Sequence, residues 1–331
     1  MTIAVAETSG VALAPERFSE VVKGCQPVLL RNLVDHWPAV AAGRRSPSDF
    51  RDYVARFDAG GSMEVFIGKP AIAGKYFYDA DMIGFNFDRR QMSFSKALDA
   101  LIAGLAQPDG ESLYVGSVPV PDYLPGFQAE NAMPLAPAPP RIWLGHAGDV
   151  SAHYDTVDNL ACVVAGHRRF TLYAPALVND LYPGPIDHTM AGQPVSLAAS
   201  IPDDARFPRF RAVRDRALVA ELEPGDALYI PKLWWHRVQS TAPFNGLVNY
   251  WWDAFAGGPD APHTAMLLSM ITIAERPLAE RQAWKALFDH YVFRENGHPL
   301  AHLPEERHGM LGPLKQNYGR IRARVMQLLR G

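Results

Sequence analysis

Apolar positions recur along this chain with different periods, and the changes of period divide it into three stretches. PERFSEVVKG (15–24) reads as a short helix opened by Pro15 and closed by Gly24. PVLLRNL (27–33) reads as a buried strand. SPSDFRDYVARF (46–57) places Phe50, Tyr53, Val54 and Phe57 at helical spacing behind an N-capping serine. SMEVFIG (62–68) and SLYVGSV (112–118) are strand-like, and SFSKALDALIAGL (93–105) is an amphipathic helix opened by Ser93 or Ser95. The first 15 residues carry little pattern and predict a mobile arm.

From about residue 140 the runs shorten. RIWLGHAG, NLACVVAG, RRFTLYAP, ALVAELEPGDALYIP, HRVQST and GLVNYWW are separated by turns, the texture of an antiparallel barrel or sandwich. The proline-rich segment 121–140 predicts a loop or lid, and the polar segment 183–216 a long insertion between barrel strands. These two are expected to carry specificity. KYFYDADMIGFNFDRRQ (75–91) predicts either a substrate-facing hairpin or a hairpin with its own small core. After 260 three helices are expected, over 263–275, 277–293 and 314–330; the last sets Ile321, Val325 and Leu328 on one stripe. The expected organisation is an α/β segment (1–120) lending strands to the core, a barrel (121–260), and a helical region (261–331) in need of a partner surface. The fold class is therefore mainly β with flanking helices.

Composition narrows the function. The 331 residues, 48% of them hydrophobic, suffice for a large core. The 32 Lys+Arg nearly balance 35 Asp+Glu, so the net charge of −3 gives no overall footprint for nucleic acid or anionic lipid. Two cysteines, Cys25 and Cys162, exclude a disulfide framework and a CxxC zinc site. The start MTIAVAETSG has neither the basic nor the apolar region of a secretory leader, and the longest apolar stretch, near 265–274, is too short to span a bilayer. No membrane partner and a cytoplasmic location are expected.

The chemistry concentrates in SAHYDTVDN (151–159). His153 and Asp155 are two apart, and on a strand residues i and i+2 point to one face. PKLWWHRVQS (231–240) offers His236 from another strand. Two histidines and one carboxylate describe the facial triad of non-haem iron(II) oxygenases. An isolated HxD pair also arises by chance, and taken alone a surface histidine beside an acidic turn is the better reading of it. His146 is a further candidate for the cavity wall.

The surroundings of both motifs add weight. GDALYIPKLWWHRV sets a turn, an apolar strand, a proline and an aromatic pair before one histidine. HYDTVDNLACVVAGHRRFTLYAP sets a strand, a glycine turn and a basic pair after the other motif. Here the sequence resembles the cupin-like JmjC-fold Fe(II)/2-oxoglutarate-dependent oxygenases, the family that includes the asparaginyl hydroxylase acting on hypoxia-inducible factor. The likeness runs from QPVLLRNLVDHWPA (26–39) through NYWWD (249–253). It implies a double-stranded β-helix, or jelly roll, with iron at one open end held by His153, Asp155 and His236. It implies 2-oxoglutarate as co-substrate and O₂ as oxidant, 2-oxoglutarate being oxidatively decarboxylated to succinate and CO₂.

The resemblance also assigns the co-substrate site. Arg168 stands where the family usually has a lysine for the far carboxylate, with Arg169 the competitor one residue on; arginine keeps that role with altered geometry. Tyr114 matches a family tyrosine that donates to the same carboxylate. Ser151, Asn159 and Asn249 match positions near the co-substrate. The implied reaction is hydroxylation of a C–H bond, with a peptide or protein side chain as the first substrate class. An oxygenase acting on a small molecule or modified RNA base, a demethylase, and a non-catalytic cupin barrel that only binds are the alternatives. Charge balance weighs against RNA. A metallo-cupin with further histidines near the first motif is disfavoured, since HYD has no third histidine beside it. By analogy the helical region implies a homodimer.

Overall fold

The computed structural model describes residues 3–190, 192–201 and 203–330; Met1 and Thr2 of the expected arm, Ala191 and Pro202 of the insertion, and Gly331 lie outside them. Two compact units succeed one another, one running to Ala254 and the other beginning at Phe255. In chain order the first contains β1 (Ile3–Ala4), β2 (Ala6–Ser9), α1 (Pro15–Lys23), β3 (Val28–Arg31), α2 (Pro38–Arg45), α3 (Pro47–Ala55), β4 (Ser62–Gly68), β5 (Lys75–Tyr76), β6 (Phe87–Ser93), α4 (Phe94–Gly104) and β7 (Ser112–Pro119). There follow α5 (Val120–Tyr123), α6 (Phe127–Glu130), β8 (Pro140–His153), β9 (Asp158–Ala165), β10 (Arg168–Tyr173), α7 (Leu197–Ser200), α8 (Pro208–Val213), β11 (Leu218–Leu222), β12 (Ala227–Ile230) and β13 (Trp235–Trp252).

The predicted caps are present. Ser46 accepts from the Asp49 amide to open α3, and Ser93 accepts from the Lys96 amide to open α4. Hydrogen bonds join the strands in the order β2-β3-β12-β9-β13-β8-β7-β4-β6, with β10 and β11 continuing from β13 and β5 pairing with β8. The organiser is β13, 18 residues long. Its first part pairs with β10, its second with β9, and both with β8. Register shifts between Ser240 and Phe244 let it bend from one sheet into the other, as a bulge does. The result is a jelly-roll core, mostly antiparallel, with α1 to α6 packed in one apolar cluster and α7 and α8 in another.

Two apolar clusters sandwich the central strands. On β9, Leu160, Cys162 and Val164 join a large cluster with Phe50, Trp37 and Leu101 from the helices. Ala161 and Val163 face inward to Phe170, Leu172, Leu228 and Leu247. A strand buried on both faces reads as a continuous apolar run, as NLACVVA does.

Two expectations are corrected. The described part of the arm is not free. Residues 3–9 form β1 and β2, parallel to β11 and β3. The strand residues themselves are exposed, while Val5 between them is buried in the inner apolar cluster and Glu7 pairs with Arg31 at 3.0 Å, so one apolar residue is the whole hydrophobic signal. Segment 121–140 is not a lid. Leu124, Phe127 and Ala136 are buried in the large cluster beside Val120, and Asn131 donates to Tyr53 Oη and the Phe127 carbonyl while accepting from the Ala39 amide.

The second unit holds α9 (Pro262–Ile273), α10 (Leu278–Phe288) with a further turn over Asp289–Phe293, and α11 (Leu314–Leu329). None of these helices buries a residue. Among the described residues no helix is long and apolar enough to cross a membrane.

Candidate metal and co-substrate site

One cavity of about 390 Å³ opens into the inward face of the jelly roll. Strand alternation fills its wall. On β13 the odd and even turns of the pleat bring His236 and Val238, then Leu247, Asn249 and Trp251, to one side. β8 contributes Trp143, Ser151 and His153, β9 Asn159 and Ala161, β10 Arg168 and Phe170, and β7 Tyr114.

His153 and His236 lie directly opposite each other in the β8–β13 pair, their ring centroids 4.4 Å apart. Asp155, just beyond the end of β8, brings a carboxylate oxygen 3.7 Å from His236 Nε2. One ligand atom from each of the three lies within 4.8 Å of the others. The ring nitrogens are already sorted. His153 Nδ1 is 2.8 Å from the Ser151 carbonyl and His236 Nδ1 is 2.9 Å from the Trp234 carbonyl. A carbonyl only accepts, so each Nδ1 carries a proton, which leaves Nε2 of each ring as the nitrogen that could hold a metal. Burial, reinforced by the adjacent His153, pushes the His236 pKa down to about 4, which keeps that imidazole neutral.

Asp155 is held from two sides. Trp251 Nε1 donates to its Oδ2 at 3.1 Å and Asn159 Nδ2 to the same oxygen at 3.3 Å. Asn159 Oδ1 accepts from Asn249 Nδ2 at 3.1 Å, and Asn249 Oδ1 accepts from Trp143 Nε1 at 2.7 Å. An amide left unpaired in such surroundings costs roughly 1–3 kcal/mol, so this pairing is what permits two buried asparagines here.

Deeper in, Arg168 is only 3% exposed, and its Nε and Nη2 meet no partner among the described residues. Burial pushes its pKa down while the nearby Tyr114 opposes the shift. Burial also raises the Tyr114 phenol to about 12, so its hydroxyl stays protonated and able to donate. An unpaired buried cation is costly unless an anion completes it. The turn before it is fixed by Gly166 at φ +69°, where a Cβ would meet the Phe244 carbonyl oxygen at 2.3 Å. Strand alternation sends Arg169 the other way, to an outward ion pair with Glu221 at 3.1 Å. Ser151 is buried beside His153 and donates to the Tyr76 carbonyl at 3.3 Å.

His146 does not line the cavity. It is a packing residue whose Nε2 lies 2.8 Å from the Leu101 carbonyl and whose Nδ1 accepts from the Leu113 amide. The aromatic segment 75–91 is not a paired hairpin: β5 pairs with β8 and β6 with β4, with a single bridge between Tyr78 and Phe85. Tyr76, Phe87 and Arg89 line the cavity, while Phe77 and Tyr78 make a small cluster with Val195. The insertion supplies Met190, Gln193 and Val195 to the cavity wall, which Glu64 and Arg89, paired at 3.2 Å, also line. Sequence reasoning missed Trp143 and Trp251 as site residues; the clustering of Trp251 with Trp252 was a signal for one, and Trp143, alone in RIWLG, had none.

The family profile described as a cupin-like domain matches residues 14–258. Jumonji C domain-containing protein 5 of Drosophila melanogaster is 30% identical over 243 residues, 69% of this chain and 55% of that protein. The human bifunctional peptidase and (3S)-lysyl hydroxylase JMJD7 is 31% identical over 261 residues, 69% of this chain and 77% of that protein. Lysine-specific demethylase JMJ30 of Arabidopsis thaliana is 26% identical over 237 residues, 69% of this chain and 50% of that protein. The matched region thus spans about half the length of the first and third of these relatives.

Proposed function

The chain belongs to the cupin-like domain family, and from that premise we propose that it is an Fe(II)- and 2-oxoglutarate-dependent oxygenase that hydroxylates a protein or peptide side chain. The observation that carries this reading is the pairing, in one cavity, of a two-histidine, one-carboxylate set with a buried guanidinium lacking an anion. Two neutral imidazoles and a carboxylate suit Fe(II) and leave positions for other ligands. Bound together, iron, 2-oxoglutarate and O₂ would supply the oxidising power for C–H hydroxylation, with succinate and CO₂ as co-products. The protein's own residues hold and exclude. His153, Asp155 and His236 would hold the ion, and Arg168 and Tyr114 would take the far carboxylate of 2-oxoglutarate through charge-assisted hydrogen bonds. Ser151, Asn159 and Asn249 line the same cavity and would border the co-substrate. Apolar Phe170, Val238 and Leu247 limit water beside it.

A protein side chain as substrate is supported by relatives named for action on lysine. Such a side chain would enter past Phe66, Phe87 and Met190. Both cysteines are free, which fits a cytoplasmic protein. Anaerobic addition of Fe(II) and 2-oxoglutarate to the apoprotein is expected to raise the weak visible band of the iron–2-oxoglutarate chelate. A folded protein that binds iron without producing the band would replace this reading with that of a non-catalytic barrel.

We also propose that a second copy of the chain covers the helices after Phe255. Leu267, Ile271, Leu278, Trp284 and Leu328 are exposed there, and helices with no buried face need a partner surface. Light scattering is expected to give twice the chain mass of 36.5 kDa, and Ile271→Glu with Leu328→Glu to halve it. A monomeric wild type would remove the dimer.

A further inference from the structure

We infer that Trp143, Asn249, Asn159 and Trp251 form a one-way hydrogen-bond relay that fixes Asp155 for metal binding, making them positioning residues for the ion. The inference deepens the reading above and rests on it. Its ground is the direction of each bond. An indole N–H can only donate, so the atom of Asn249 that faces Trp143 must be the carbonyl oxygen, as it is at 2.7 Å. That turns Asn249 Nδ2 toward Asn159, where it meets Oδ1 at 3.1 Å. Asn159 Nδ2 is then left to face Asp155, an acceptor-only carboxylate, at 3.3 Å. The relay starts at a group that cannot accept and ends at one that cannot donate. Reversing either amide would set donor against donor and acceptor against acceptor inside a site where both asparagines are more than nine-tenths buried.

Trp251 closes the arrangement. It donates to the same carboxylate oxygen at 3.1 Å, and its ring meets Trp143 edge to face with centroids 5.6 Å apart. The two donors therefore reach Asp155 Oδ2 from Trp251 and from the relay's last amide, Asn159, while the relay's first donor, Trp143, packs against Trp251. Two donors on one oxygen fix the rotation of the carboxylate, which a ligand between two imidazoles requires. Outer-shell donors of this kind orient ligands and are worth about 10–100-fold in metal affinity. The bond lengths also give Asn159 and Asn249 work that does not need 2-oxoglutarate: the Nδ2 and Oδ1 of each are engaged within the relay.

The test is Mn(II) titration of the apoprotein by electron paramagnetic resonance, with KM for 2-oxoglutarate measured at saturating iron. Trp251→Phe keeps an aromatic ring and removes the N–H; Trp143→Phe removes the first donor, far from the ion. Mn(II) affinity is expected to fall about 10–100-fold in Trp251→Phe. In Trp143→Phe it is expected to fall at least about threefold, and the double variant to lose less than the product of the two, since both act on one carboxylate. KM for 2-oxoglutarate should change less than about twofold once iron saturates. Wild-type Mn(II) affinity in both single variants, with melting curves showing a folded protein, overturns the relay. So does a raised KM with unchanged Mn(II) affinity, which would give the amides to the co-substrate instead. If Trp251→Phe does not fold, Trp143→Phe and Asn249→Ala decide by the same titration. Failure of the wild type itself to bind Mn(II) would strike the metal reading, a different outcome from a wild type that binds beside variants that bind equally.

Discussion

Asp155→Asn is expected to abolish iron binding and 2-oxoglutarate turnover while leaving the fold intact. The substitution is nearly isosteric. Its amide oxygen can still accept from Trp251 Nε1 and Asn159 Nδ2, so neither donor is orphaned. What disappears is the negative charge beside two imidazoles whose rings are 4.4 Å apart. A divalent ion would then face neutral ligands only, in a cavity with a buried guanidinium already present. Loss of a direct ligand must exceed the roughly 10–100-fold that outer-shell changes cost in metal affinity, so turnover should fall below about 1% of wild type. His153→Ala and His236→Ala should match it in iron binding. They should differ in stability, because His236 is 3% exposed and leaves a cavity, whereas His153 is half-buried. Calorimetric titration with Fe(II) under argon and a succinate assay check this. Wild-type iron affinity in Asp155→Asn would remove the carboxylate from the ligand set.

The triad was legible because its signal is local. His153 and Asp155 sit two apart at a strand end, and the aromatic pair before His236 marks a buried strand; the register that places the histidines opposite one another follows from β8 and β13 pairing. The rest of the site is non-local. Trp251 reaches Asp155 and Trp143 reaches Asn249 across about a hundred residues of chain, and no spacing rule connects them. The choice between Arg168 and Arg169 shows the boundary most clearly. Alternation says that the two face opposite sides, but which side is the interior depends on the turn at Gly166 and on pairing with β11 and β13. Prolines hid the helical spacing of Val120, Leu124 and Phe127, and so a packed segment read as a lid. The strands β1 and β2 carried almost no hydrophobic signal, because their pairing is through the backbone and only Val5 between them is buried.

Arg168→Met should move stability and co-substrate affinity in opposite directions. The guanidinium is buried with Nε and Nη2 unpaired, and burial already depresses its pKa. Without an anion it is a liability, and replacing a poorly compensated buried charge by an apolar side chain of similar size is neutral or stabilising by about 1–4 kcal/mol. With 2-oxoglutarate bound, the same guanidinium would complete a charge-assisted pair, and truncating one partner of such a pair costs about 2–5 kcal/mol. The ligand-free variant should therefore melt no lower than wild type, while KM for 2-oxoglutarate rises by roughly 30-fold or more. Ligand at a hundred times its wild-type Kd should stabilise wild type by about 2.7 kcal/mol and leave the variant almost unmoved. Arg168→Lys keeps the charge but loses the planar fork, so it should recover part of the affinity and stay below wild type. Arg169→Met is the internal control. Its ion pair with Glu221 is exposed on the far side of β10, and such pairs contribute about 0–1 kcal/mol, so both readouts should stay near wild type. Melting curves of the three variants with and without 2-oxoglutarate decide the matter: an Arg168→Met protein that 2-oxoglutarate stabilises as well as wild type would take the co-substrate away from this arginine.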